Sequence, residues 1–192
     1  MQEVLATRLT QKTEGRNATL VDLSLILLGS LVVAATAQVS VPLPFSPVPI
    51  TGQTLGVLLV GMALGSRRGA LALLAYLAEG LAGLPVFAEA RAGIGVLLGP
   101  TGGYLAGFVV AAWLVGKLAE RGFDRSLLKT LLAMLAGNLV IYALGLAWLA
   151  QFTGAAGALA AGLYPFVIGD ALKAVGAALL LPGAWRLLAA RA

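Results

Sequence analysis

The stretch Pro165-Phe-Val-Ile-Gly-Asp-Ala-Leu-Lys-Ala-Val-Gly-Ala-Ala-Leu-Leu-Leu181 decides how this chain is read. It is apolar enough for a membrane helix, yet Asp170 and Lys173 stand inside it. Each charge alone would cost ~2.5–3.5 kcal/mol at a bilayer centre on insertion scales. Three residues apart on a helix, the two share a face and neutralise each other. One reading is a structural ion pair that holds a helix bundle together. The other is a ligand site, because charges inside membrane segments mark substrate or ion paths. The ligand site is the working expectation.

The rest of the chain fits a membrane setting. It has 192 residues, 60% of them hydrophobic and 11% charged, with mean hydropathy +0.97. A soluble domain has about 25% charged residues. The apolar segments are helix-length and lack the ~10-residue alternation of outer-membrane strands. We therefore expect an all-α integral membrane protein in one bundle. The first 19 residues, with Arg8, Lys12, Glu14, Arg16 and Asn17, read as a polar leader rather than a cleavable signal. Residues 20–192 then form the membrane domain.

Cysteine and histidine are both absent. Histidine is the commonest metal ligand and general base. Redox cofactors, structural zinc and a Ser-His-Asp triad are poor readings, so no metal, cofactor or enzymatic activity is expected.

Runs bounded by Gly, Pro or charge give six membrane helices, near 20–41, 53–65, 68–83, 102–120, 127–151 and 165–189. The second and third are short for a ~30 Å core. Arg67 and Arg68 between them suggest a tight helical hairpin. Counting basic residues by side sets both termini in the cytoplasm. Arg8, Lys12, Arg16, Arg67, Arg68, Lys117, Arg121, Arg125, Lys129, Arg186 and Arg191 fall on the inner side. Arg91 alone falls outside, and Lys173 is within the membrane. This asymmetry accounts for the +5 net charge without nucleic acid.

The outer loops differ in kind. Val41–Ile50 carries four prolines and is stiff, extended and non-helical. Leu84–Pro100 is long, apolar and punctuated by Gly and Pro, as binding loops are. Gln151–Tyr164 is Gly- and Ala-rich and uncharged. These three loops are expected to fold over the outer face. The two halves share no motif, which speaks against an inverted-repeat carrier.

Several polar groups could join Asp170 and Lys173, which lie roughly 8–12 Å below the outer boundary at 1.5 Å per residue. Glu79, in the third helix, is either a ligand contact or an interfacial carboxylate paired with Arg91. Arg91, beside Glu89, could clamp a carboxylate. In Thr51-Gly-Gln-Thr54 the threonines suit a helix cap, while Gln53 is a candidate contact. Asn138 suits a bond across helices, and the same helix carries Tyr142. Gly99–Phe108 is Gly-rich but lacks the Lys and spacing of a phosphate loop. Any energy for transport would come from partner chains or an ion gradient. In helix one, small residues around Ser30, Ala34 and Ala37 serve either internal packing or docking to another membrane protein.

Four motifs now stand together in one order: Val48-Pro-Ile-Thr-Gly-Gln-Thr-Leu-Gly-Val-Leu-Leu-Val-Gly61, Gly83-Leu-Pro-Val-Phe-Ala88, Gly99-Pro-Thr-Gly-Gly-Tyr104 and Pro165–Lys173. Over about residues 22–190 the chain resembles the BioY family, the biotin-binding substrate-capture subunits of energy-coupling-factor (ECF) transporters. The resemblance implies a six-helix bundle with a biotin pocket near the outer face. It implies that Asp170 and Lys173 belong to that pocket, with Arg91 and Glu79 as the nearest equivalents of an arginine and a polar residue also used there. Biotin would then set its ureido N–H groups against Asp170 and its carboxylate against Lys173 or Arg91. Its apolar ring would pack on Phe45, Phe87 or Tyr164. The resemblance further implies a transmembrane coupling subunit and paired ATPase subunits as partners, in the cell membrane. The family's Ala-x-x-x-Ala coupling pattern has only a small-residue version here, Ser30 with Ala34. Homo-oligomer formation stays open. The competing class is an ion-coupled secondary carrier with Asp170 or Glu79 titrating.

Overall fold

The computed structural model describes residues 3–10 and 16–189. Lys12 and Arg191, two of the basic residues counted above, lie outside them. The described chain runs through helix α1 (Leu5–Thr10), α2 (Arg16–Gln38), strands β1 (Ser40–Leu43) and β2 (Ser46–Thr51), then α3 (Gln53–Leu64) and α4 (Ser66–Leu81). It continues through a 3-10 turn at Ala88–Ala90, α5 (Ile94–Leu98), α6 (Gly102–Ala119), α7 (Leu127–Gly162) and α8 (Val167–Ala189).

Among the described residues, four helices are long and apolar enough to cross a membrane: α2, α6, α7 and α8. The chain is a multi-pass membrane protein. Helix α3 is apolar but has only 12 residues. At 1.5 Å per residue it rises ~18 Å, well short of a ~30 Å core. Between α3 and α4 the chain turns at Gly65, whose φ of 85° is a conformation glycine adopts without penalty.

Helix α6 is central and packs against α3, α4 and α7, while α2 covers α3 and α4 and α8 covers α7 and α3. Small residues bring the backbones together. A Cβ built on Gly61 of α3 would lie 2.6 Å from the carbonyl oxygen of Ala112 in α6. Close approach of this kind is how helices gain contact when lipid tails are as apolar as leucine. Leu27 and Leu31 of α2 and Leu172 and Leu179 of α8 are exposed, as a lipid-facing surface requires.

One expectation is refined and another corrected. The molecule is mostly helical, but the extended proline-rich segment forms an antiparallel hairpin pairing Ser40 with Thr51 and Val41 with Ile50. Proline lacks the N–H of a ladder, but a two-stranded ribbon has a free edge on each strand where that donor is not needed. The segment 151–164 is not a loop. Helix α7 continues through it to Gly162, broken at Gly154 by a φ of 72°. Its alanines favour helix, and the single positive-φ glycine supplies the bend. Within the leader, Val4, Leu5 and Ala6 are buried, and α1 packs on α3.

The basic end is pinned by two carboxylates. Glu120 accepts hydrogen bonds from the Ser66 hydroxyl at 2.6 Å and the Ser66 N–H at 2.9 Å, and pairs with Lys117 at 3.0 Å. Burial alone would raise its pKa; the bonds from Ser66 and the charge of Lys117 outweigh that and hold it below the ordinary value. Asp124 is fully buried and accepts from Trp185 of α8 at 2.6 Å. Burial pushes its carboxyl upward, against the Trp185 bond, a backbone bond of its own and the Arg125 charge.

At the other end, side chains stitch the segments together. Ser46 of the hairpin donates to the Ala161 carbonyl at 2.7 Å. Trp148 of α7 donates to the Gly99 carbonyl at 2.9 Å. The Gln38 amide nitrogen lies 3.3 and 3.2 Å from the Val86 and Phe87 carbonyls, while its oxygen accepts from the Ala90 N–H at 3.2 Å.

Candidate functional site

The hairpin, the 84–100 segment, the ends of α3, α6 and α8 and the middle of α7 surround a cavity. Its walls are mixed. Val48, Phe87, Leu105, Phe108, Ile141 and Phe166 supply apolar surface; Thr51, Gln53, Thr54, Arg91, Tyr104, Tyr142, Asp170 and Lys173 supply polar groups. An apolar enclosure with a few convergent polar groups is the usual form of a small-molecule site. The space that water can enter is about 60 Å³, enough for a few waters. A ligand of vitamin size needs the walls to part.

The polar floor is built from three helices. Asp170, 5% exposed, comes from the first turn of α8 and Lys173 from the next. Their side chains meet at 2.8 Å. Lys173 also donates to the Thr54 hydroxyl at 2.9 Å and to the Thr51 carbonyl at 2.7 Å. Thr54 in turn donates to Asp170 Oδ1 at 2.8 Å. Tyr142 of α7 donates to Asp170 Oδ2. An ammonium has three protons, and here each has an acceptor. The buried charges are thus paired and hydrogen-bonded, which is the condition for tolerating them in a low dielectric.

Arg91 stands at the other wall. Its guanidinium pairs with Glu89 at 2.9 Å, and its Nε reaches the Ala88 carbonyl at 3.4 Å. Glu89 and Ala90 both have positive φ, 61° and 55°, which is unfavourable for residues with a Cβ. Phe87 is 1% exposed. Its ring meets Tyr76 edge-on, with centroids 5.5 Å apart. Gln53 donates to Tyr76 at 2.7 Å, so part of its amide is already committed.

The structure therefore brings Asp170, Lys173, Arg91, Gln53 and Phe87 to one cavity. It does not bring the others. Phe45 sits at the hairpin tip, 66% exposed, and Tyr164 follows α7, 64% exposed; neither lines the cavity. Phe45 lies in the turn between the strands, where nothing packs over it. Tyr164 follows the end of a helix that was expected to be a covering loop. Glu79 is also away from the lining. It accepts from Ser30 of α2 at 2.8 Å rather than pairing with Arg91. Ser30, Ala34 and Ala37 of α2 are buried, turned inward where α2 packs on α3 and α4.

Thr54, Tyr142, Tyr104, Phe108 and Phe166 line the cavity without having been singled out from the sequence as contacts. A tyrosine within an apolar helix was the available signal, since a buried phenol needs a partner for its hydroxyl. Thr54 was masked by its suitability as a cap.

The BioY family model matches residues 9–190. The chain is 40% identical over 162 residues to the biotin transporter BioY of Rhizobium etli, covering 80% of this chain and 87% of that one. It is 42% identical over 141 residues to the biotin transporter BioY of Thermotoga maritima, covering 73% and 82%. A solved structure described as the S-component for biotin from an ECF-type ABC transporter superposes with a TM-score of 0.79 at 25% identity, covering 91% of this chain and 95% of that one.

Proposed function

This chain belongs to the BioY family, and we propose that it is the biotin-capturing S component of an ECF transporter in the cell membrane. It binds biotin without chemical change and hands it on. The observation that carries this reading is the cavity with a compensated acid at one wall, a guanidinium at the other and apolar surface between.

Biotin matches that layout. Its ureido ring offers N–H donors to Asp170. Its sulfur-containing ring packs on Phe87, Phe108 and Phe166. Its carboxylate goes to Arg91, because the three protons of Lys173 already have acceptors. Arg91 has five donors and can exchange Glu89 for the ligand at modest cost, since exposed ion pairs contribute about 0–1 kcal/mol.

In this reading α2, α3, α4, α6, α7 and α8 form a six-helix bundle, with the basic end and both termini in the cytoplasm. Transport is powered by ATPase subunits through a transmembrane coupling subunit. With Ser30, Ala34 and Ala37 buried, a coupling subunit meets α2 through its exposed face, on which Leu27, Leu31 and Ala35 lie.

The test has two arms. Purified protein in detergent is titrated with biotin by calorimetry; submicromolar, one-to-one binding is expected, and no binding at micromolar concentration removes the reading. Vesicles holding this chain alone are then compared with vesicles that also hold the coupling and ATPase subunits. Accumulation should require the partners and ATP. Accumulation by the chain alone along a proton gradient would favour an ion-coupled carrier.

A further inference from the structure

An ionised carboxylate has about four lone-pair sites. At Asp170 three are occupied. Oδ1 accepts from Thr54 and from Lys173, both at 2.8 Å, and Oδ2 accepts from Tyr142. One site on Oδ2 remains. The charge is also balanced, because the Lys173 ammonium sits directly on the carboxylate. Across the cavity Arg91 is balanced by Glu89. The polar floor is therefore not an open anion. It is a neutral, nearly saturated cluster with one acceptor to spare.

Resting on the biotin reading above, we propose that Tyr142 is a specificity-determining residue: its hydroxyl caps Asp170 Oδ2 so that the site accepts one neutral N–H donor and rejects a cationic head group. A neutral urea N–H needs one lone pair, which is what remains. A cationic guanidine seeks two parallel bonds to a carboxylate. It finds one oxygen taken twice and the other taken once, and it meets the ammonium of Lys173 beside them. Removing the phenol oxygen reopens Oδ2. The carboxylate then presents two free lone pairs on one atom and more unshared charge, which suits a cation better than a urea.

Tyr142 is well placed for this and for little else. Its ring belongs to α7, whereas its hydroxyl partner belongs to α8. Thr54 approaches the other oxygen, where Lys173 already stands. Among the described residues, the phenol is the one donor to Oδ2.

The experiment measures Kd at pH 7 for biotin and for 2-iminobiotin, the cyclic guanidine analogue that is protonated there. Proteins are the wild type, Tyr142→Phe and Thr54→Val, each checked for folding by size exclusion and melting. The wild type should prefer biotin by on the order of 100-fold, as sites built for one hydrogen-bonding pattern do. Tyr142→Phe should leave biotin within a few-fold and tighten 2-iminobiotin about tenfold, the scale of one hydrogen bond to a charged group, so that the preference narrows. Thr54→Val should move the ratio less, because Lys173 still covers Oδ1. Equal weakening of both ligands by Tyr142→Phe would mean that the hydroxyl only holds the fold, and overturns the proposal. So does an unmoved ratio. Parity between the ligands in the wild type overturns it whatever the variants do. A wild type that binds biotin but fails these criteria removes this inference alone; a wild type that binds no biotin removes the function with it.

Discussion

The ring of Phe87 lies on the bare backbone of Gly80: a Cβ built on that glycine would come within 2.1 Å of the ring's Cζ. The same ring forms part of the cavity wall. Gly80 in α4 thus sets how deep the covering segment seats. In Gly80→Ala the ring must shift, and a buried aromatic has few alternative rotamers in a packed wall. Biotin affinity should fall about tenfold or more, the scale of overpacking a core. Calorimetry on the variant checks this; wild-type affinity would show that the ring's seat is adaptable.

Breaking the Asp170–Lys173 pair should cost more than one hydrogen bond. Lys173→Met leaves the buried Asp170 without its counter-charge, which costs about 3–5 kcal/mol; Asp170→Asn leaves the half-buried Lys173 with only the Thr51 and Thr54 acceptors and should cost less. Lys173→Met should melt well below the wild type and Asp170→Asn less far below it, and both should lose biotin binding. The double variant should recover much of the melting temperature and none of the binding. Unchanged melting of Lys173→Met would mean that water reaches the pair.

Glu89 competes with any ligand carboxylate for Arg91. Glu89→Gln should therefore tighten biotin about two- to fivefold, in keeping with an exposed ion pair. The methyl ester of biotin, which has no anion, should bind both proteins alike. Tightening of acid and ester together would point to the strained backbone at Glu89 and Ala90 instead.

The cavity's small free space gives a prediction about motion. The hairpin and the 84–100 segment must open to admit a ligand and close on it. Amide hydrogen exchange in residues 41–52 and 84–100 should slow on adding biotin, while the buried stretch of α6 should not change. Unaltered exchange in both segments would place the entrance elsewhere.

Acid should loosen the basic end. The folded-state pKa of Glu120 is lowered, so its contribution to stability is present above its unfolded value and lost as pH falls through the folded one. The difference in melting temperature between wild type and Glu120→Gln should be full near pH 7 and shrink below the ordinary carboxylate range. A difference that is constant down to pH 3 would assign Glu120 no such role.

How much of this could be read in the sequence follows from what each feature depends on. The long apolar helices were legible because lipid imposes length and composition on them. The Asp170–Lys173 pair was legible because charge in such a segment is costly and needs a reason. The hairpin was half legible: proline excludes helix, but strand pairing depends on a partner that periodicity does not reveal. The helical course of 151–162 was hidden because Gly-rich composition imitates a loop. The inward turn of Ser30, Ala34 and Ala37 was not legible because small residues suit a bundle core and a docking surface equally well. Thr54 and Tyr142 were out of reach because their roles arise only where α3, α7 and α8 converge.

Gln38, at the last turn of α2, grips the carbonyls of Val86 and Phe87 and the N–H of Ala90. Those residues flank Phe87 and run directly into Arg91. The end of a membrane helix is thereby tied to the short run of chain that carries both Phe87 and Arg91 of the cavity wall, so that one glutamine couples the seat of α2 to the seat of that wall.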